Sequence, residues 1–458
     1  MADPILDAHS LLPRLYLLGS PLTPISIRDQ MLRARWTVDR LVQNGELREE
    51  TRVLIVGAGA AGATAAIRAA EHHAHALLVE QSGGAFGVQA RSATRWIDPT
   101  QYDWPAAHWT LGAYHWRPPP MPLVFPAQLS HRLARHWDTL LHTHIARLRP
   151  RLAYQPNMRV VNLSPVPGPG LSATLARGTL SFTLPFDIVI WAVGFGIEKT
   201  SIPDASGGTI LGPPFWSTDA IEKPHCGFGF NPDVLILGSG DGALQDFLRA
   251  ATQLSSASEV CRKLSVPEKF RHAAQDIEAQ FHRGLVWCHR DEDERRLYEV
   301  RHTHYEQLVD ELWKDEDVDF VARARSLLRS DVNTLAMGYP TTYLTGFYGL
   351  NCFLALILGR AWAERARMHR AAILRAGWRA RHGQWMTNYA GPSYCDVTVD
   401  RQPGCPVPGA PATDTWSCHL LIIRLGIDPT SAKVPFWNSL TLPPPSRPRH
   451  LFPYHLPG

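Results

Sequence analysis

Apolar and polar positions along the chain fall into three kinds of pattern. At Ile25–Asn44, the residues Ile27, Met31, Leu32, Trp36, Val38 and Leu41 recur at an approximately helical period, which predicts an amphipathic helix after a Pro/Leu-rich N-terminal loop. Short unbroken apolar runs occur at Thr51–Gly57, Ala76–Glu80, Phe186–Val193, Asp233–Leu237 and Leu420–Arg424. Runs of this length without alternation predict strands covered on both faces, as in a parallel sheet. Helices are expected from Gly59 to about His73, rich in small residues, and over Ala127–Leu148. Residues 157–186 read instead as short antiparallel strands broken at Pro165–Gly170 and Arg177–Gly178. The stretch 201–232 is rich in Gly and Pro, and 255–330 is charged and helical in pattern, including Glu292–Arg301 and Tyr305–Trp313. Residues 350–380 predict an apolar helix running into an Arg-rich one, and no internal repeat is visible beyond two glycine turns.

The first of these turns is the strongest chemical signal. Gly57-Ala58-Gly59-Ala60-Ala61-Gly62 fits G-x-G-x-x-G, follows an apolar strand, opens a helix, and is answered by Glu80 at the end of the next strand. In such a β-α-β unit each position has a physical task. Gly57 permits the tight turn, Gly59 lets the backbone approach a pyrophosphate, and Gly62 lets the helix lie close on the strand. The helix start, with the backbone of Ala60 and Ala61, offers free N–H groups and partial positive charge to phosphate. Glu80 can accept hydrogen bonds from both ribose hydroxyls of an adenosine.

The segment VLIVGAGAAGATAA followed by LLVE resembles the N-terminal FAD-binding motif of the large flavoprotein group with two dinucleotide-binding domains. That resemblance implies FAD on the first turn. It also implies that Gly83 and Gly84 continue along the cofactor, with an arginine downstream, for which Arg91 and Arg95 are the candidates. The strand Asp187–Gly196 resembles the group's "ATG" segment, with Ala192 and Gly194 matching and Val193 in place of threonine; Gly194 would let the chain pass the FAD.

Gly238-Ser239-Gly240-Asp241-Gly242-Ala243 fits G-x-G-x-x-A and resembles the NAD(P)H-binding turn of thioredoxin reductases and flavin-containing monooxygenases. The order of the three segments is that of the monooxygenases and N-hydroxylases of this group, with Leu420–Gly426 as a second returning strand. The pattern departs from the group in several places. No clear second strand follows Ala243, only Glu259-Val-Cys-Arg262-Lys263, where Arg262 and Lys263 would meet a 2′-phosphate. The paired cysteines of the disulfide reductases, an F-x-G-x-x-x-H signature and a late "GD" motif are all missing. Two other readings of the second turn stay open. One is the G-x-G-x-G turn of an S-adenosylmethionine-dependent methyltransferase, with Glu259 as its ribose acid; the other is a degenerate turn that binds nothing.

Composition narrows the class without adding chemistry. The 458 residues are 45% hydrophobic with a formal net charge of +4, and no run of like charge marks a nucleic-acid or membrane surface. The longest apolar run, Cys352–Leu358, is far shorter than the roughly 20 residues a membrane span needs. The N-terminus does not read as a secretory signal, because Asp3 and Asp7 precede any sustained apolar run. Seven cysteines at irregular spacing hold no CxxC pair or zinc-ligand pair, which fits reduced thiols in a cytoplasm.

The expected architecture is α/β, a Rossmann-like FAD-binding domain with a second dinucleotide-binding domain, whose motif is incomplete, and helical additions. Its expected bounds are 1–50 for the N-terminal loop and helix, 51–225 for the FAD domain, 226–330 for the NAD(P)-type domain, and 331–458 for a C-terminal helical segment that returns to the FAD domain. The expected function is an FAD-dependent oxidoreductase, reductase- or monooxygenase-like, using NAD(P)H on an unidentified small molecule. The alternative is a regulatory or redox-sensing flavoprotein without NAD(P)H turnover. No metal site is expected, since His142/His144 and His302/His304 fall on opposite sides of their helices. His108, in the aromatic segment Asp98–Trp109, is the candidate proton-transfer residue.

Overall fold

The computed structural model describes residues 3–19, 25–105, 121–123, 126–223, 231–286, 288, 290–315, 318–367, 373–387, 392–405 and 409–428. These residues divide into two compact units. One takes in the described residues of 1–93, 115–197 and 427–458; the other takes in those of 94–114 and 198–426.

In the first unit, the apolar runs form the centre of a parallel sheet. Its order is Leu152–Gln155, His75–Val79, Arg52–Val56, Ile188–Trp191. Strands 52–56, 75–79 and 188–191 are therefore parallel neighbours, as their unbroken apolar composition predicts. Leu15–Leu17 pairs in parallel beyond Ile188–Trp191, and Ser10–Leu12 pairs antiparallel beyond that. A loop is expected there from sequence. Three-residue strands carry too short a pattern to register, and Pro4–His9 forms a short helix capped by the Asp3 carboxylate.

The helix Ile27–Gln43 lies against Ala60–Glu71, where Asp39 accepts from Arg68 Nε at 2.6 Å. An antiparallel sheet of Arg159–Pro165, Leu171–Arg177 and Leu180–Phe186 covers one face of the parallel sheet. Leu54, Val56, Val79, Val189 and Trp191 pack there on Val160, Ala173, Leu175 and Phe186. Full burial of each such aliphatic side chain contributes about 1.5–3 kcal/mol.

The second unit repeats this plan, which the sequence did not reveal as a repeat. Its parallel sheet runs Leu374–Ala376, Thr334–Tyr339, Asp233–Leu237, Leu420–Ile423. An antiparallel sheet of Trp378–Met386, Tyr394–Arg401 and Thr413–Cys418 again lies between the third strand and the returning strand in chain order. The second strand missing from the sequence reading is thus Thr334–Tyr339. It is separated from its partner by the helix Asp241–Thr252 and by four further helices, Ala257–Leu264, Glu268–Val286, Asp291–Lys314 and Val318–Ser326, and that distance hides the pairing.

The Arg-rich helix expected to follow the apolar one within 350–380 is corrected as well. The apolar helix is Gly349–Arg365, buried on every face from Gly349 to Leu358, which explains its unbroken apolar run. The chain then enters strands at Leu374 and Trp378. No helix among the described residues is long and apolar enough to cross a membrane.

Candidate functional site

Both glycine turns sit where the central strand of a parallel sheet hands over to a helix, at the carboxyl end of the sheet. Ligands of open α/β sheets bind at that end. In the first turn the three glycines have different causes. Gly57 has φ +100°, and a Cβ there would stand 2.6 Å from the Ala192 carbonyl oxygen. A Cβ on Gly62 would stand 1.9 Å from the Gly57 oxygen, so the close packing of helix on strand excludes any side chain. Gly59 has an ordinary extended backbone, φ −76° and ψ −178°, and a Cβ there would meet nothing within 4 Å. Protein packing explains the first and third glycines. The second clears the space in front of the helix start.

Glu80 faces this turn. Its Oε2 accepts from the Ala58 N–H at 2.9 Å, and its Oε1 accepts from the N–H and the hydroxyl of Ser82, each at 2.8 Å. Ala60 is the first residue of the helix Ala60–Glu71, with Ala61 beside it. Gly83 and Gly84 lie in an exposed loop directly after Glu80. That loop is held by Asn157, whose N–H donates to the Ser82 carbonyl, and by Phe86, whose N–H donates to the Ala58 carbonyl. Gly194, with φ +90° and open surroundings, follows Ala192 past the turn. The structure thus gathers Gly57, Gly59, Ala60, Ala61, Gly62, Glu80 and the loop of Gly83 and Gly84 at one end of one sheet. Arg91 ends the short helix Gly87–Ala90 and is exposed. Arg95, its rival from sequence, is buried in the other unit against Asp246 and Asp219.

The second turn has the same backbone plan and different contacts. Gly238 has φ +129°, and a Cβ there would stand 2.1 Å from the Arg424 carbonyl oxygen. Gly240 matches Gly59 in backbone, φ −77° and ψ 174°, with its nearest would-be contact Thr345 Oγ1 at 4.0 Å. Ala243 stands where the first turn has Gly62. Asp241 does not project as a bare charge beside the turn. Its carboxylate accepts from Phe347 N at 2.7 Å, Asn351 Nδ2 at 2.9 Å and Tyr348 N at 3.2 Å, capping the segment that opens the helix Gly349–Arg365. Desolvation pushes its carboxyl above the usual range despite these donors. Thr345 adds two contacts to Ser239, N–H to carbonyl at 3.0 Å and hydroxyl to hydroxyl at 2.9 Å. Arg301, fully buried, holds the same segment by donating to the carbonyls of Gly346 and Phe347.

The register identifies the residue that matches Glu80. Val56 pairs with Val79 and Gly57 N–H donates to the Val79 carbonyl; Leu237 pairs with Gly338 and Gly238 N–H donates to the Gly338 carbonyl. Tyr339, buried, therefore occupies the position that Glu80 holds in the first unit. Arg262 and Lys263 do not. They lie on the helix Ala257–Leu264, where Arg262 donates to the Ser258 carbonyl and Lys263 pairs with Glu259 at 3.6 Å. Glu259 lies on the same helix, not at the end of the strand beside Asp233–Leu237, where the methyltransferase reading would place its acid.

The helix Asp241–Thr252 is anchored by a buried ion cluster that sequence reading missed. The Asp246 carboxylate accepts from Arg95, from Arg249 at 3.0 Å and from Arg424 at 2.8 Å. Arg249 also reaches Asp219 at 2.6 Å and Glu222 at 2.5 Å. Burial works to raise the Asp246 carboxyl, but Arg95, Arg424 and Arg249 outweigh it and hold the group at about 2.

Residues 55–118 match the NAD(P)-binding Rossmann-like domain. No curated protein matches the chain. Among solved structures, the chain is similar to thioredoxin reductase from Lactococcus lactis, at 12% identity over 83% of this chain and 78% of that one, with a TM-score of 0.37. It is similar to the bacillithiol disulfide reductase Bdr from Bacillus cereus, at 9% identity over 83% and 78%, TM-score 0.39. It is also similar to the ornithine N-hydroxylase KtzI from Kutzneria sp. 744, at 11% identity over 84% and 83%, TM-score 0.38.

His108 lies outside the described residues. Of its segment, Tyr102 packs on Tyr348 at 4.5 Å between ring centroids and Trp104 stacks on Phe353 at 5.3 Å. These aromatics serve the second unit's core.

Proposed function

We propose that the chain is an FAD-dependent oxidoreductase that holds FAD on the turn Gly57–Gly62 and draws electrons from NAD(P)H on the turn Gly238–Ala243. It acts on a small organic molecule, in the cytoplasm. One observation carries the FAD assignment. Gly59 needs to be glycine for no reason of backbone or packing, and it opens the space between a helix start and the Glu80 carboxylate. A pyrophosphate fits the helix N–H groups, and an adenosine ribose fits Glu80. FAD, when bound, supplies the two-electron redox chemistry, so the protein need only bind, orient and exclude water.

In this reading Glu80 exchanges its bond from Ala58 N–H for the ribose hydroxyls, while Ser82 keeps the carboxylate aimed. Gly83, Gly84 and Arg91 extend the contact, and Gly194 keeps the returning backbone clear. Glu80→Ala is expected to weaken FAD retention at least about tenfold, the loss of roughly 1.4 kcal/mol of charge-assisted hydrogen bonding. Equilibrium dialysis against FAD measures it.

A second reading, a redox-sensing flavoprotein without NAD(P)H turnover, is favoured by the hydrogen bonds from Thr345, Phe347 and Tyr348 to the second turn. Anaerobic mixing of the purified flavoprotein with NADPH and NADH separates the two. Bleaching of the visible flavin band, slowed in Gly240→Val, supports the oxidoreductase; a band inert to both nicotinamides rejects it.

A further inference from the structure

The spacing of the seven cysteines gives no hint of a pair, yet the second unit brings two together. Cys395 and Cys418 are direct register partners on the antiparallel strands Tyr394–Arg401 and Thr413–Cys418. Both point to the same face, into the cluster formed by Leu237, Val397, Trp416 and Ile423. Directly opposed residues in antiparallel strands have Cα atoms about 4.5–5.5 Å apart, within the roughly 4.4–6.8 Å that a disulfide spans. Both cysteines are free and buried. We infer that Cys395 and Cys418 form a cross-strand dithiol, a two-electron redox site that peroxide closes to a disulfide.

The surroundings suit that role. Gly383, on the third strand of the sheet, packs directly on the pair: a Cβ there would stand 3.3 Å from the Cys395 sulfur and 2.8 Å from Ile210, so only glycine fits beside it. Cys395 and Cys418 are themselves buried, at 0% and 1% exposure, but Trp385, the register partner of Cys395 on the other side, is 47% exposed, so peroxide reaches the pair as this end of the sheet opens. Cys418 is the last residue of its strand. The thiols differ in acidity. The hydrogen bond from Cys418 lowers the Cys395 thiol and raises that of Cys418, which makes Cys395 the attacking sulfur.

With hydrogen peroxide as oxidant, the Cys395 sulfur attacks one peroxide oxygen and the O–O bond breaks. Hydroxide leaves and takes the Cys395 proton as water, and the sulfur is left as a sulfenic acid. The Cys418 sulfur then attacks that sulfur. The S–O bond breaks, an S–S bond forms, and a second water leaves with the Cys418 proton. Two thiols lose two electrons and two protons, and one peroxide becomes two waters.

The site is independent of the flavin reading, and its test is analytical. Full-length protein is treated with hydrogen peroxide in the Cys405→Ser background, because Cys405 and Cys418 fall in one tryptic peptide, 402–424. The expected result is the loss of two titratable thiols per denatured chain and a linkage between peptides 382–401 and 402–424, both reversed by dithiothreitol. Cys418→Ala should abolish the linkage and leave Cys395 as a sulfenic acid trapped by dimedone. Peptide mapping of the Cys405→Ser protein decides the matter even if the Cys418 variant folds poorly. Thiol loss without this linkage, or irreversible oxidation at Cys395 in its place, overturns the inference.

Discussion

Gly62→Ala is expected to destabilise the first unit by about 3 kcal/mol, the upper end of the usual cost of forcing extra volume into a packed site. A methyl group at 62 would stand 1.9 Å from the Gly57 carbonyl oxygen and 3.3 Å from the Ala192 side chain. Neither neighbour can yield. Gly57 is fixed by its positive φ and by its N–H bond to the Val79 carbonyl, and Ala192 lies directly after a central strand, donating to the Val56 carbonyl. The helix Ala60–Glu71 would have to lift off the sheet. Gly59→Ala, three residues away, should stay within about 0.5 kcal/mol, because its Cβ enters open space at an ordinary φ. Thermal denaturation of the two proteins without added cofactor reads the contrast; equal melting temperatures would reject this account of the turn.

Asp246→Asn should cost about 3–5 kcal/mol, the effect of removing one partner from a buried ion network. Its carboxylate is fully buried, and Arg95, Arg249 and Arg424 all donate to it. The asparagine would keep the shape but leave these guanidinium groups with less charge to face. The acid behaviour follows from the same group. Its carboxyl is held at about 2 against an ordinary 3.8, so its contribution is present above about 3.8 and is lost as pH falls toward 2. Urea denaturation between pH 2 and 7 should show this loss in the parent and not in Asp246→Asn. A variant within about 1 kcal/mol of the parent at neutral pH would show that the cluster does not anchor the helix.

Much of the first unit was legible in the sequence because its signals are local. The strand at 53–56, the turn, the helix and Glu80 lie within 30 residues, so spacing alone carries the geometry. The second unit was half legible for the opposite reason. Its turn is local, but its second strand waits behind the helical insertion, and Thr334–Tyr339 contains Gly338 and Met337 in place of a clean β-branched run. Tyr339 gives no charge to search for where Glu80 does. The Asp246 cluster draws on Arg95, Asp219, Arg249 and Arg424, which share no motif. Cys395 and Cys418 are joined only by strand register, which sequence spacing does not encode. The N-terminal strands escaped because they extend a sheet whose other members begin 40 residues later.

Binding of FAD to the Gly59→Val protein shows whether the first glycine turn is the seat for FAD. Valine at 59 meets no protein atom near its Cβ, so the variant should fold with the parent's circular dichroism and melting temperature. The space that a pyrophosphate needs would be filled. Titration of flavin-free protein, followed by quenching of flavin fluorescence, should give one FAD per chain for the parent and at least about a hundredfold weaker binding for Gly59→Val, a difference of roughly 2.7 kcal/mol. If the folded variant binds FAD as tightly as the parent, the turn does not hold the cofactor and the account fails.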